Sequence, residues 1–272
     1  MDALRGTEKR EQTTKNHANE TDVSRRAAML SVAAGGAVLL SGCPVHAQAK
    51  PPAASASSPP SPASLGIAFA GKHAVRPLPW SPNALKGLSE KLIVSHHANN
   101  YAGAVKNLNR VEEELARVNK DTPALVVGGL KQSELSYRNS ATFHELYFGN
   151  LGGDGRASGG IEKLLSDAYG SFARWEELFR LTGASLGGGS GWVVTTWDLH
   201  RDVPNTFWSG NHTQASAASV PLLVMDMYEH AYQMDYGAAA AKYIDAFFAN
   251  IQWDEVQRRC ERARKAAATL RG

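Results

Sequence analysis

A carboxylate closes a core strand in this chain. The run Val220-Pro221-Leu222-Leu223-Val224-Met225 is apolar and short enough to read as a buried strand, and it ends on Asp226. Burying an aspartate there is expensive unless a positive group meets it. A metal ion is the natural partner, and His230, four residues on, supplies a second ligand. Imidazole and carboxylate donors without thiolate suit iron, manganese or zinc rather than Cu(I) or an iron–sulfur cluster. The chain's two cysteines, Cys43 and Cys260, do not compete for this role. Cys43 lies in the leader, and Cys260 sits in the charged run Arg258-Arg259-Cys260-Glu261-Arg262, where it reads as a structural helix residue.

Of nine histidines, His17, His46, His73 and His200 fall in the leader, the spacer, the approach to the domain or a turn. His96, His97, His144, His212 and His230 remain. Leu88, Leu92 and His96 recur every four residues, and Ala104, Leu108, Val111, Leu115 and Val118 continue with the stripe of a helix packed on one face. A second helix is predicted over 132–149, with Tyr137, Ala141, His144 and Phe148 on a common face. Asp121-Thr122-Pro123 joins the two, which predicts an antiparallel helical hairpin. A lone histidine on such a face is more often a satisfied core residue than a ligand. The Asp226 segment is what changes that balance.

Gly149 to Gly160 reads as a glycine-rich loop, and 161–183 as one or two helices with Trp175, Leu178 and Leu181 on one side. Strands are predicted over Trp192–Trp197, Asn205–Ser209 and Val220–Met225, and closing helices over 237–249 and 252–269. The class is α+β: an N-terminal antiparallel helical hairpin over 78–152, then an α/β domain over 153–272. That second domain carries a small three-stranded antiparallel sheet flanked by helices.

The first 49 residues read as an export signal. A polar stretch leads into Ser24-Arg25-Arg26 and fourteen mostly small apolar residues, Ala27 to Leu40. The arginine pair suits the twin-arginine route, placing the protein in the periplasm or cell envelope. Two cleavage sites are open. Ala47-Gln48-Ala49 suits soluble release; Leu40-Ser41-Gly42-Cys43 resembles a lipobox, which would tether the protein to a membrane through Cys43. Pro44 favours soluble release. Residues 50–66, rich in Pro, Ala and Ser, form a spacer. Residues 1–50 hold seven of the 29 Lys/Arg and five of the 26 Asp/Glu, leaving 22 against 21 for the remainder. No basic stripe remains for nucleic acid.

The segment Asp226-Met227-Tyr228-Glu229-His230-Ala231-Tyr232 resembles the signature of the iron/manganese superoxide dismutases, and other matches follow in family order. They are Leu78-Pro79-Trp80, His96-His97 to Asn109, His144-Glu145-Leu146-Tyr147-Phe148, Gly189-Ser190-Gly191-Trp192 and Gln252-Trp253-Asp254-Glu255. The resemblance covers about 78–265. It implies His96, His144, Asp226 and His230 as ligands of one Fe or Mn ion per subunit, with water or hydroxide as a fifth. It also implies superoxide as substrate, consumed by M3+/M2+ cycling, and a homodimer in which Glu229 bonds to the opposite subunit's ligand histidine. Trp192 would wall the active site. His212 falls where many members place the glutamine that bonds the metal-bound solvent, and some relatives have histidine there.

The gate differs from the family pattern. Asn100 and Ala104 stand where members usually have a histidine and a tyrosine, Asn99 and Ala240 where the funnel is usually basic, and Phe143 where an asparagine commonly precedes the second ligand. Tyr101 is the candidate to refill the gate. A second reading follows, of a metal-binding envelope protein with this fold and little dismutase activity. A third treats two histidines and Asp226 as the facial triad of an Fe(II) oxygenase. The choice between iron and manganese is open, because Asn139-Ser140-Ala141-Thr142 matches neither metal's usual pattern.

Overall fold

Strand β1 (Trp192–Asp198) lies at the centre of a sheet of order β2-β1-β3, antiparallel to β2 (Val203–Ser209) on one side and β3 (Ser219–Asp226) on the other. The computed structural model describes residues 66–271. The export leader, Cys43 within it, and the spacer up to residue 65 lie outside them. Six residues of β1, Trp192 to Trp197, are buried, as their β-branched and aromatic character requires. A register shift between Thr195 and Thr196 bends the β1–β3 ladder, and beyond it Trp192 faces Asp226.

Two buried polar side chains cover the free edge of β3. The Val224 amide donates to Asn150 Oδ1 at 2.8 Å, and Asn150 Nδ2 donates back to the Val224 carbonyl at 3.2 Å. Arg259 Nη1 donates to the Leu222 carbonyl at 3.2 Å. These groups stand in for a missing strand along Leu222–Val224.

The hairpin precedes the sheet. Helix α1 (Glu90–Ser95) starts at Ser89, whose Oγ accepts from the Leu92 amide at 3.1 Å. It runs into a π-helical turn, His96–Tyr101, and then α2 (Ala102–Leu115). The predicted stripe holds as far as the helix runs: Ala104, Leu108, Val111 and Leu115 are buried, while Val118, also assigned to it, lies past the helix end and is half-buried. Helix α3 spans Ala124–Gly149, eight residues longer at its start than predicted. Gly128-Gly129 masked the signal there, but a helix packed along a partner tolerates glycine at about 1 kcal/mol each.

Helices α4 (Gly159–Tyr169) and α5 (Phe172–Ala184) follow, then α6 (Gln233–Tyr236), α7 (Ala240–Phe248) and α8 (Trp253–Arg271). The prediction for α5 needs correction. Trp175 is buried, but Leu178 and Leu181 are exposed; the inward side is Trp175, Phe179 and Gly183, spaced every four residues. Gly183 is buried because its missing Cβ leaves room for Met225 and Ile244. One apolar cluster runs from Leu92 and Phe148 of the hairpin through Val193 and Val224 of the sheet to Phe247 and Val256. No helix among the described residues is long and apolar enough to cross a membrane.

A strap at residues 66–80 lies on the hairpin. Its Gly71 amide donates to Glu112 Oε2 at 3.0 Å, while His73 Nε2 and Arg138 Nη2 lie 2.8 and 3.0 Å from Glu112 Oε1. Glu112 is thereby buried with three donors, the condition under which a carboxylate tolerates burial. His73, assigned above to the approach, is an anchor of the strap.

Candidate metal centre

Four elements deliver four side chains to one point. His96 opens the π-turn between α1 and α2, His144 comes from the last turns of α3, Asp226 ends β3, and His230 lies in the short helical turn Glu229–Ala231. The Nε2 atoms of His96, His230 and His144 lie 3.1, 3.2 and 3.5 Å from the same oxygen, Asp226 Oδ2. One donor atom from each of the four falls within 4.8 Å of the others. Asp226, His96 and His144 are buried, and His230 keeps 26% side-chain exposure.

Protons alone do not satisfy this arrangement. His144 Nδ1 donates to the Ser140 carbonyl at 2.7 Å, so its Nε2 carries a lone pair. That lone pair faces the carboxylate oxygen of Asp226, and His144 Nε2 has no hydrogen-bond partner. A cation between three imidazoles and a carboxylate removes the opposition. Three nitrogens and one oxygen, without sulfur, fit iron, manganese or zinc.

The protonation states agree with that fit. Burial lowers the pKa of His96, and it lowers that of His144 to about 3, with the neighbouring His96 adding to the effect. Burial alone would raise Asp226, but the charge of His230 and hydrogen bonds from His230 and His96 outweigh it and hold the carboxyl well below its usual range. His230 is raised: burial opposes its charge, and Asp226 overcomes the burial. At neutral pH the cage therefore offers a carboxylate and neutral imidazoles at its two most buried histidines.

The surroundings orient these ligands. The Asp226 carbonyl accepts from Tyr243 Oη at 2.6 Å, and Asp226 Oδ1 accepts from the Tyr228 amide at 2.8 Å. Trp192 is buried and presents an edge to His144 with ring centroids 5.1 Å apart. Its Nε1 donates to His212 Nδ1 at 3.0 Å, which leaves the His212 proton on Nε2. Tyr228 stacks between His212 and His230 at 4.6 and 5.3 Å. Asn139 Nδ2 donates to the His212 carbonyl at 2.7 Å and ties that loop to α3.

Tyr101 lies 6.2 Å from the His144 ring. Its hydroxyl accepts from the Arg76 amide at 2.9 Å and donates to Glu145 Oε1 at 3.0 Å. Burial pushes that hydroxyl up to about 12. Ala104 is buried, Asn100 half-buried and Glu229 exposed. Sequence reading passed over Tyr243, Tyr228 and Ser140. Tyr243 is seventeen residues from Asp226 on another element, a separation that carries no periodic signal.

Comparison with known proteins agrees with this geometry. Residues 157–259 match the family described as iron/manganese superoxide dismutases, C-terminal domain. The chain is 44% identical over 188 residues to a superoxide dismutase [Fe] of Cupriavidus metallidurans, an alignment covering 69% of this chain and 95% of that protein. The chain belongs to the iron/manganese superoxide dismutase family. It is also 32% identical over 212 residues to a superoxide dismutase [Fe] of Aquifex aeolicus, covering 74% of this chain and 98% of the other. Against superoxide dismutase [Mn] 1 of Halobacterium salinarum the identity is 30% over 200 residues, covering 71% and 96%. Relatives named for either metal thus align with this superoxide dismutase chain along nearly their whole length.

Proposed function

We propose that this superoxide dismutase is exported, works as a homodimer, and holds one iron or manganese ion per subunit on His96, His144, Asp226 and His230. The observation that carries the ligand assignment is the convergence of three Nε2 atoms on Asp226 Oδ2, with the His144 lone pair facing a carboxylate oxygen. These four residues would hold a redox-active ion, and the chemistry it would supply when bound is electron exchange with superoxide, giving O2 from one molecule and, with two protons, H2O2 from a second.

The residues supply the setting. Asp226 brings one negative charge, and the buried imidazoles bring none, so the site keeps a bound cation strongly positive toward an arriving anion. Trp192, Phe148 and Tyr147 pack on the ligand rings and exclude water. His212 holds a proton on Nε2, fixed by the Trp192 bond to its other nitrogen, and is the candidate to bond solvent at the centre. Tyr101 fills space beside His144 as the gate side chain. Its hydroxyl is committed to Glu145, so it acts as a wall more than as a free proton donor.

Export rests on Ser24-Arg25-Arg26 and the apolar run behind it, with release near Ala49 or a lipid anchor at Cys43. Sequencing the mature N-terminus distinguishes the two. The dimer rests on Glu229, exposed on the same turn as the part-exposed ligand His230, where it can reach a second copy. Sedimentation at micromolar concentration that shows only monomer removes it.

The deciding experiment measures superoxide removal by protein loaded separately with iron and with manganese, beside Asp226→Ala. Fast turnover with one metal, lost in the variant, establishes the proposal. Stoichiometric metal without turnover favours the second reading, that the Asn100 and Ala104 changes left a cage without its chemistry.

A further inference from the structure

Beside the metal centre, and lined in part by Phe148 and the gate side chain Tyr101, lies a cavity of about 450 Å3. None of the four metal-cage residues lines it. The strap forms one wall with Arg76, Pro77 and Pro79; the end of α3 and the start of β3 supply Leu146, Val220 and Pro221. Helix α8 closes the remaining side with Glu255, Arg259 and Arg262.

The charges in this wall are not balanced. Glu145 is taken up by Arg76 Nε at 3.2 Å and by the Tyr101 hydroxyl. Glu255 is taken up by Arg258 and Arg259, each at 2.9 Å. Arg259 is spent entirely on protein groups: Glu255 through Nε, Asn150 and Leu222 through Nη1, and the Leu146 carbonyl through Nη2. Arg262 has no carboxylate partner among the described residues and is exposed at the rim. Three arginines against two glutamates leave the lining one positive charge in excess, and the unmatched charge is on Arg262.

We infer that this cavity binds a small organic acid: a monoanion whose carboxylate pairs with Arg262 and whose apolar body lies on Leu146, Phe148, Val220 and the prolines. The volume falls within the range of small-molecule sites, roughly 300–1,000 Å3, and the pattern of apolar walls with one placed charge is that of such sites. The strap prolines expose no amide hydrogen, so this wall offers apolar surface without an unsatisfied donor. Guanidinium suits a carboxylate because its fork matches the two oxygens. None of the four cage residues lines the cavity, although Tyr101 and Phe148 border both sites, and the inference does not rest on the dismutase reading.

Calorimetric titration of the full chain with decanoate tests this, with decanol and inorganic phosphate as the apolar and ionic halves of the ligand. One decanoate per chain is expected, with decanol and phosphate each at least about tenfold weaker, as loss of a charged hydrogen bond or of the apolar contact requires. Arg262→Gln keeps the stem, removes the charge and should weaken decanoate by about tenfold or more. Val220→Phe fills the cavity and should abolish binding. Circular dichroism and metal content, unchanged in both variants, show that they are folded. Decanol or phosphate binding as tightly as decanoate overturns the inference. So does either folded variant that binds decanoate like the unaltered chain.

Discussion

His144 is where the chemistry of the cage is most exposed to test. Its Nδ1 is spent on the Ser140 carbonyl at 2.7 Å, so the ring has one nitrogen left, and that nitrogen faces a carboxylate. His144→Ala should drop the bound metal well below one ion per chain, read by elemental analysis. Dismutase activity should fall at least about a hundredfold, beyond what losing an outer partner typically costs. A facial triad that omits His144 would keep its metal, so retention separates the oxygenase reading from this one. Cys260 behaves differently. It is buried, and burial pushes its thiol up to about 11. Alkylation needs the thiolate, so native protein at pH 8 should leave Cys260 unmodified, and unfolding should expose it. Peptide mass spectrometry of the Cys260 segment reads both states. Rapid native labelling there would contradict the packing of α8.

Among the elements, β1 depends on what precedes it. Gly191 has φ of +145°, and a Cβ there would sit 2.2 Å from the Ser209 carbonyl of β2. The Gly191 carbonyl also accepts from the Met227 amide at 2.9 Å, next to Asp226. Gly191→Ala should therefore cost about 3 kcal/mol in urea denaturation. Metal content should fall with it, since the displaced backbone carries the carboxylate. The hairpin shows how far periodicity reaches. The stripe on α2 was legible because its polar and apolar positions alternate with the helix period. The first turns of α3 were not, because Gly128-Gly129 interrupts the pattern and that half of the helix is largely exposed. On α5 the error was one of phase: Leu178 and Leu181 are apolar and still face outward. Glycine on the inward side, at Gly183, hid the true face.

For the molecule as a whole, the cage couples folding to metal. Four elements drawn from the 135 residues between His96 and His230 inclusive meet at Asp226, and in the unfolded chain they do not. Free metal at about a hundred times its dissociation constant should stabilise the fold by about 2.7 kcal/mol. For a chain of this size that corresponds to a rise of about 5–10 °C in Tm. Calorimetry of chelated and reloaded protein measures it; equal melting temperatures would place the ion elsewhere. The sequence alone determined the class, the three strands and most of the α2 stripe through local periodicity; it pointed to Asp226 and His230 through a buried carboxylate with a histidine four residues on, and to His96 and His144 through the ordered resemblance to the family's motifs. Tertiary structure alone decided that the three Nε2 atoms share one carboxylate oxygen. It also sent the Tyr101 hydroxyl to Glu145, gave Glu112 its partner His73, and set Arg262 beside Val220, Leu146 and the strap prolines. Each of these joins residues far apart in the chain. Their distance depends on how helices cross and how a strap lies, and neither leaves a period in the sequence.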